Sequence, residues 1–149
     1  MRLIELICTA AFCVVFAAPV SAAHHFIEKF SLQTGQTVVV AEGELEARSI
    51  GSFTITLYRA AQPVNETTFY QAGMVLDRDG AIEQVALEDL DQDGNEEVIV
   101  IIRSAGSGGY LSAKAIKIAG DELSVIRSAE GLAWDADPIN ALRSLAAEC

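Results

Sequence analysis

The chain has 149 residues, with 10 Lys and Arg against 21 Asp and Glu, and a formal net charge of -11 at pH 7. That length suits one ordinary domain with its own core, and the acidic balance argues against a nucleic-acid partner, because phosphate binding relies on clustered cations. The two histidines, His24 and His25, are neighbours; no third histidine exists to activate a Ser or Cys, and no ligand cluster has zinc spacing, so no catalytic residue, metal or cofactor is assigned.

Residues 1–23 read as a signal peptide. Arg2 supplies the positive start, Leu3 to Ala18 the apolar run, and Ser21-Ala22-Ala23 the small residues for cleavage after Ala23. The run carries Glu5 and Thr9, stops at Pro19, and falls short of the ~20 apolar residues a spanning helix needs, so no membrane anchor is expected. Cleavage removes one cation and one anion, leaving residues 24–149 as a single acidic, exported domain. Of the three cysteines only Cys149 remains, which excludes an internal disulfide and leaves a terminal thiol at a frayed end.

Eight short segments follow, alternating apolar and polar residues and broken by turn formers, the pattern of half-buried antiparallel strands. They are Phe26 to Leu32, Gln36 to Ala41, Ser52 to Arg59, Thr67 to Leu76, Ile82 to Leu87, Glu97 to Arg103, Tyr110 to Ile118 and Leu123 to Arg127. Phe53, Ile55, Leu57 and Arg59 share one face of the third segment, while Val98 to Ile102 is apolar throughout and reads as a central strand buried on both sides. Gly35, Asp79-Gly80 and Gly120-Asp121 stand where hairpin turns are required. Asp137, Pro138 and the spacing of Ile139, Leu142 and Leu145 predict a short C-terminal helix that can lie across a sheet. Eight strands with short connections make the fold all-β, a sandwich or a barrel.

Two stretches carry candidate chemistry. Asp89, Asp91, Asp93, Gly94 and Glu97 have the alternating carboxylates and glycine turn of a calcium loop, but the bidentate Glu that an EF-hand needs at position twelve is replaced by Val100. A shorter loop ending at Glu97 remains open, and makes a calcium-binding extracytoplasmic β-module the alternative function; the plainer reading is a turn whose side chains accept backbone N–H groups. The second stretch, Ser104-Ala105-Gly106-Ser107-Gly108-Gly109-Tyr110, is small and glycine-rich between two strands. It has the slimness to enter a cleft, presenting the Ser107 and Tyr110 hydroxyls and its own amides. A strand follows it rather than a helix, which argues against a phosphate cradle. Arg103 and Lys114 flank it, and no acid occurs between Ile101 and Gly120, so it reads as a locally basic element on an acidic body.

The run from Leu87 through the aspartate turn to Val100, followed by Ser104-Ala105-Gly106-Ser107-Gly108-Gly109-Tyr110, resembles the periplasmic inhibitors of invertebrate-type (I-type) lysozyme. The resemblance is clear over about thirty residues. It implies an antiparallel β-sandwich in the periplasm, a non-enzyme whose partner is a lysozyme and whose Ser107-Gly108-Gly109-Tyr110 motif, with Ser104 and Gly106, plugs the enzyme's cleft and protects peptidoglycan. It further implies a possible homodimer and a structural, metal-free aspartate turn.

Overall fold

In a computed structural model, residues 24–61, 63 and 67–145 are described. The expected signal peptide and Cys149 lie outside them. The chain forms β1 (Ile27–Ser31), β2 (Thr37–Glu42), β3 (Gly51–Tyr58), β4 (Tyr70–Arg78), β5 (Ala81–Glu88), β6 (Glu97–Arg103), β7 (Leu111–Ala119), β8 (Glu122–Leu132) and α1 (Pro138–Ser144). Each expected strand is present, with ends moved by a few residues.

The strands make two four-stranded antiparallel meanders, β1-β2-β3-β4 and β5-β6-β7-β8. The architecture is a sandwich, not a barrel. Alternation in β2 and β3 sends Val38, Val40, Phe53, Ile55 and Leu57 inward, where they meet Ile82, Val85, Val98, Val100, Ile102 and Ile116 of the second sheet. Arg59, expected on the Phe53 face, lies past the end of β3 and is exposed.

All residues from Val98 to Ile102 are buried. The even-numbered ones face the first sheet, while Ile99 and Ile101 face outward and pack with Ala113, Ala115 and Leu142. The cover on that outer side is α1, lying against β7 and β8. Asp137 caps it by accepting from the N–H groups of Ile139 and Asn140 at 3.0 and 3.1 Å, and Pro138 occupies the first turn. Leu142 is fully buried, but Leu145 closes the helix at its C-cap and stays exposed.

Gly35 and Gly120 have φ of 81° and 67° and serve the two hairpins expected of them. Asp79-Gly80 does not serve one. It joins β4 to β5, which belong to different sheets and do not pair, so the turn is the corner at which the chain leaves one layer for the other.

Candidate functional site

The glycine-rich segment links two central strands, β6 and β7, at one end of the second sheet. Its base is closed by the Ser104 N–H donating to the Tyr110 carbonyl at 2.8 Å. Inside it, the Gly109 amide donates to the Gly106 carbonyl at 3.1 Å and the Gly106 amide to Ser104 Oγ at 3.2 Å. Gly109 sits at φ 54°, in the left-handed region that glycine tolerates best. At Gly108 a Cβ would fall 2.3 Å from the Tyr110 ring, so the aromatic lies directly against bare backbone.

Ser107 and Gly108 are exposed, Ser104 and Gly109 half-buried, and Tyr110 is 56% exposed. The loop is therefore folded on itself through its amides while its two hydroxyl-bearing tip residues face outward. On one side, a cleft of about 360 Å³ is lined by Tyr110, Ser112, Lys114, Asp77, Asp79 and Glu130, among others. On the other, a second cleft is lined by Ser104, Ala105, Glu83 and Arg48, among others.

Arg103 holds the loop from below. Its Nη1 donates to the Gly109 carbonyl at 2.9 Å and to the Trp134 carbonyl at 3.4 Å, while Nε and Nη2 engage both carboxylate oxygens of Glu83. This forked pairing holds the Glu83 carboxyl below its usual range, mainly through the Arg103 hydrogen bond. Glu83 is the extra residue of a bulge in β5, where pairing steps from Ile82 to Gln84.

These contacts correct the expectation of a basic loop. Arg103 is paired with Glu83, and Lys114 stands 3.6 Å from Asp77. Carboxylates distant in sequence neutralise each cation, and the tip is locally neutral.

The aspartate turn lies at the opposite end of β6. Asp89 accepts from the amides of Asp93 and Gly94 at 3.1 and 3.0 Å, Asp91 from Asp93 at 3.2 Å, and Asp93 from Asn95 at 2.8 Å. Gln92 and Gly94 adopt φ of 60° and 89°. Asp93 is held down to about 2, first by the Lys117 ammonium and then by the Asn95 amide. The turn chemistry expected of these residues is present, and the two candidate stretches are not brought together.

Two features of the site escaped sequence reasoning. Trp134 is 67% exposed and lies beside Gly109, and Glu83 anchors Arg103 from a different strand. Neither sits in a motif; only the pairing of β5 with β6 and the path of the chain after β8 bring them to the loop.

Residues 24–146 match the family model described as periplasmic lysozyme inhibitor of I-type lysozyme. A crystal structure of that inhibitor from Aeromonas hydrophila shares 41% identity, covers 78% of this chain and 98% of its own, and superposes with a TM-score of 0.71. A second, of the Aeromonas hydrophila inhibitor in complex with Meretrix lusoria lysozyme, shares 40% identity over 79% of this chain and 95% of its own, also at 0.71. No curated protein matches the chain.

Proposed function

The chain belongs to the family of periplasmic lysozyme inhibitors of I-type lysozyme, and from that premise we propose that it blocks such an enzyme by inserting Ser104 to Tyr110 into the active-site cleft, so protecting peptidoglycan. Membership makes it a periplasmic inhibitor and not an enzyme. Export through cleavage of residues 1–23 and a homodimeric state belong to the same reading, tested by the N-terminal sequence of the periplasmic protein and by sedimentation velocity.

The observation that carries the loop assignment is the exposure of Ser107 and Tyr110 on a tip whose backbone is already fixed by three internal hydrogen bonds and Arg103. Glycosidase clefts of the two-carboxylate type hold one protonated and one charged acid, which accept hydrogen bonds from hydroxyl and amide donors. Ser107 and Tyr110 bring the hydroxyls. Among the hydrogen bonds of the described residues none uses the Ser107 or Gly108 amide, so both remain available to a partner. A pre-folded loop also loses little entropy on binding.

The test is inhibition of cell-wall lysis by an I-type lysozyme. Changing Ser107 and Tyr110 together to Ala should weaken inhibition at least ~10-fold, about 1.4 kcal/mol, without altering the unfolding midpoint. Of the two, Tyr110→Ala alone should account for most of that loss and cost more than Ser107→Ala, because interface tyrosines are frequent hot spots. Unchanged potency in the double variant would refute the loop assignment and leave family membership intact.

A further inference from the structure

The aspartate turn holds no cation of its own, and Lys117 of β7 reaches only two of its carboxylates. Glu97, the last carboxylate of the loop and the first residue of β6, is completely buried. Its Oε2 accepts the Leu90 amide at 2.8 Å, while its Oε1 is buried with no hydrogen-bond partner among the described residues. A buried carboxylate oxygen without a donor or a cation is costly, and native structures seldom retain one. One oxygen each from Asp89, Asp91 and Glu97 lies within 4.8 Å of the other two, a spacing at which three ligands can share one ion.

We propose that the loop Asp89–Glu97 is a calcium site, with carboxylate ligands from Asp89, Asp91 and Glu97, and that Lys117 is the resident cation that Ca²⁺ displaces from Asp91 and Asp93. The Lys117 ammonium reaches Asp91 Oδ2 at 2.5 Å and also Asp93, but is bonded to neither Asp89 nor Glu97. One positive charge therefore serves two of four carboxylates.

Calcium suits the donors better than the commoner divalent alternatives. All three ligands are hard carboxylate oxygens, and the set includes no imidazole or thiolate to favour zinc. Calcium accepts six to eight oxygens in irregular geometry, so loop carbonyls and water can complete its sphere, whereas magnesium demands a near-octahedral cage. The proposal departs from the metal-free turn that the family resemblance implies, and is independent of how the Ser104–Tyr110 loop works.

Chelator-treated protein should be titrated with CaCl₂ by calorimetry and, in parallel, by thermal unfolding. We expect one site with a Kd of ~10⁻⁴ M, in the range of extracellular modules, and a Tm raised by about 5 °C or more near saturation. MgCl₂ should give less than half that shift. Asp89→Asn and Glu97→Gln should abolish the binding heat, and Lys117→Met should tighten Kd several-fold by removing the competing ammonium. Glu97→Gln keeps an acceptor for Leu90; should it fail to fold, Asp89→Asn in the outer part of the loop carries the test. Absence of heat and of a Tm shift up to about 10 mM Ca²⁺ in the unmodified chain, or a shift that NaCl of equal ionic strength reproduces, would overturn the proposal in favour of simple screening of an acidic surface.

Discussion

Arg103 decides how well the loop is held. It is the last residue of β6, and its guanidinium spends both ends: one fork on Glu83, one nitrogen on the carbonyls of Gly109 and Trp134. The pair is partly solvent-exposed, so its worth to global stability is small, while its effect on the loop is direct. Replacing Arg103 with Ala should leave the denaturant midpoint nearly unchanged and weaken lysozyme inhibition ~10-fold, mostly through faster dissociation, because the loop must then order itself on binding. Arg103→Lys should rescue little of this, since an ammonium cannot present the planar fork that joins Glu83 to Gly109. Surface plasmon resonance of the variants against an I-type lysozyme, alongside urea unfolding, separates the two effects. Comparable losses of affinity and of stability would assign Arg103 to the fold and not to the loop.

At the scale of elements, the corner between β4 and β5 shows where reading the chain succeeds and where it stops. Period-two alternation found the strands, and the five apolar residues of β6 announced a strand covered on both faces, because local chemistry suffices for both inferences. The same local chemistry made Asp79-Gly80 a hairpin, since a glycine turn between two strands looks alike whether the strands pair or part. What separates the cases is remote: a Cβ on Gly80 would meet the Arg103 carbonyl oxygen at 2.0 Å, and its φ of 125° lies where L-residues seldom go. The glycine is there for close approach of the corner to the end of β6. Gly80→Ala should therefore destabilise the protein by ~3 kcal/mol or more, from backbone strain and a displaced β6 terminus. Gly106→Ala, whose Cβ would meet nothing closer than Ser104 Oγ at 3.5 Å, should cost under ~1 kcal/mol. Urea midpoints of the two variants decide, and equal costs would refute the close-approach argument. The candidate loop itself was legible because its composition is local. Its neutral surroundings were not, since Glu83 and Asp77 reach Arg103 and Lys114 only through the sheets.

For the molecule as a whole, two successive meanders must be kept face to face, and buried polar side chains supplement the apolar core in doing so. Glu42, 4% exposed on β2, accepts the Phe26 amide at 3.2 Å from its own sheet and the Ile82 amide at 2.6 Å from the other. Arg78, 2% exposed at the end of β4, donates to the carbonyls of Ala47, Arg48, Ser52 and Gly80. It thereby ties the β2–β3 connection to the corner. The carboxylate nearest this guanidinium is Glu46, 3.8 Å away, which also accepts the Ser52 amide and hydroxyl at 2.5 and 2.8 Å. Those two Ser52 bonds, with smaller help from Arg78, hold the Glu46 carboxyl below its ordinary 4.5. A carboxyl depressed on folding adds stability that is fully present above its unfolded pKa and is lost as pH falls through the folded one. The difference in urea midpoint between the unmodified chain and Glu46→Gln should accordingly be constant from pH 7 to about 5.5 and shrink steadily below about pH 4.5, because the protonated acid and the amide then bond Ser52 alike. A gap that stayed constant to pH 3 would mean that the charge on Glu46 contributes nothing, and that Arg78 holds the corner through its carbonyl bonds alone.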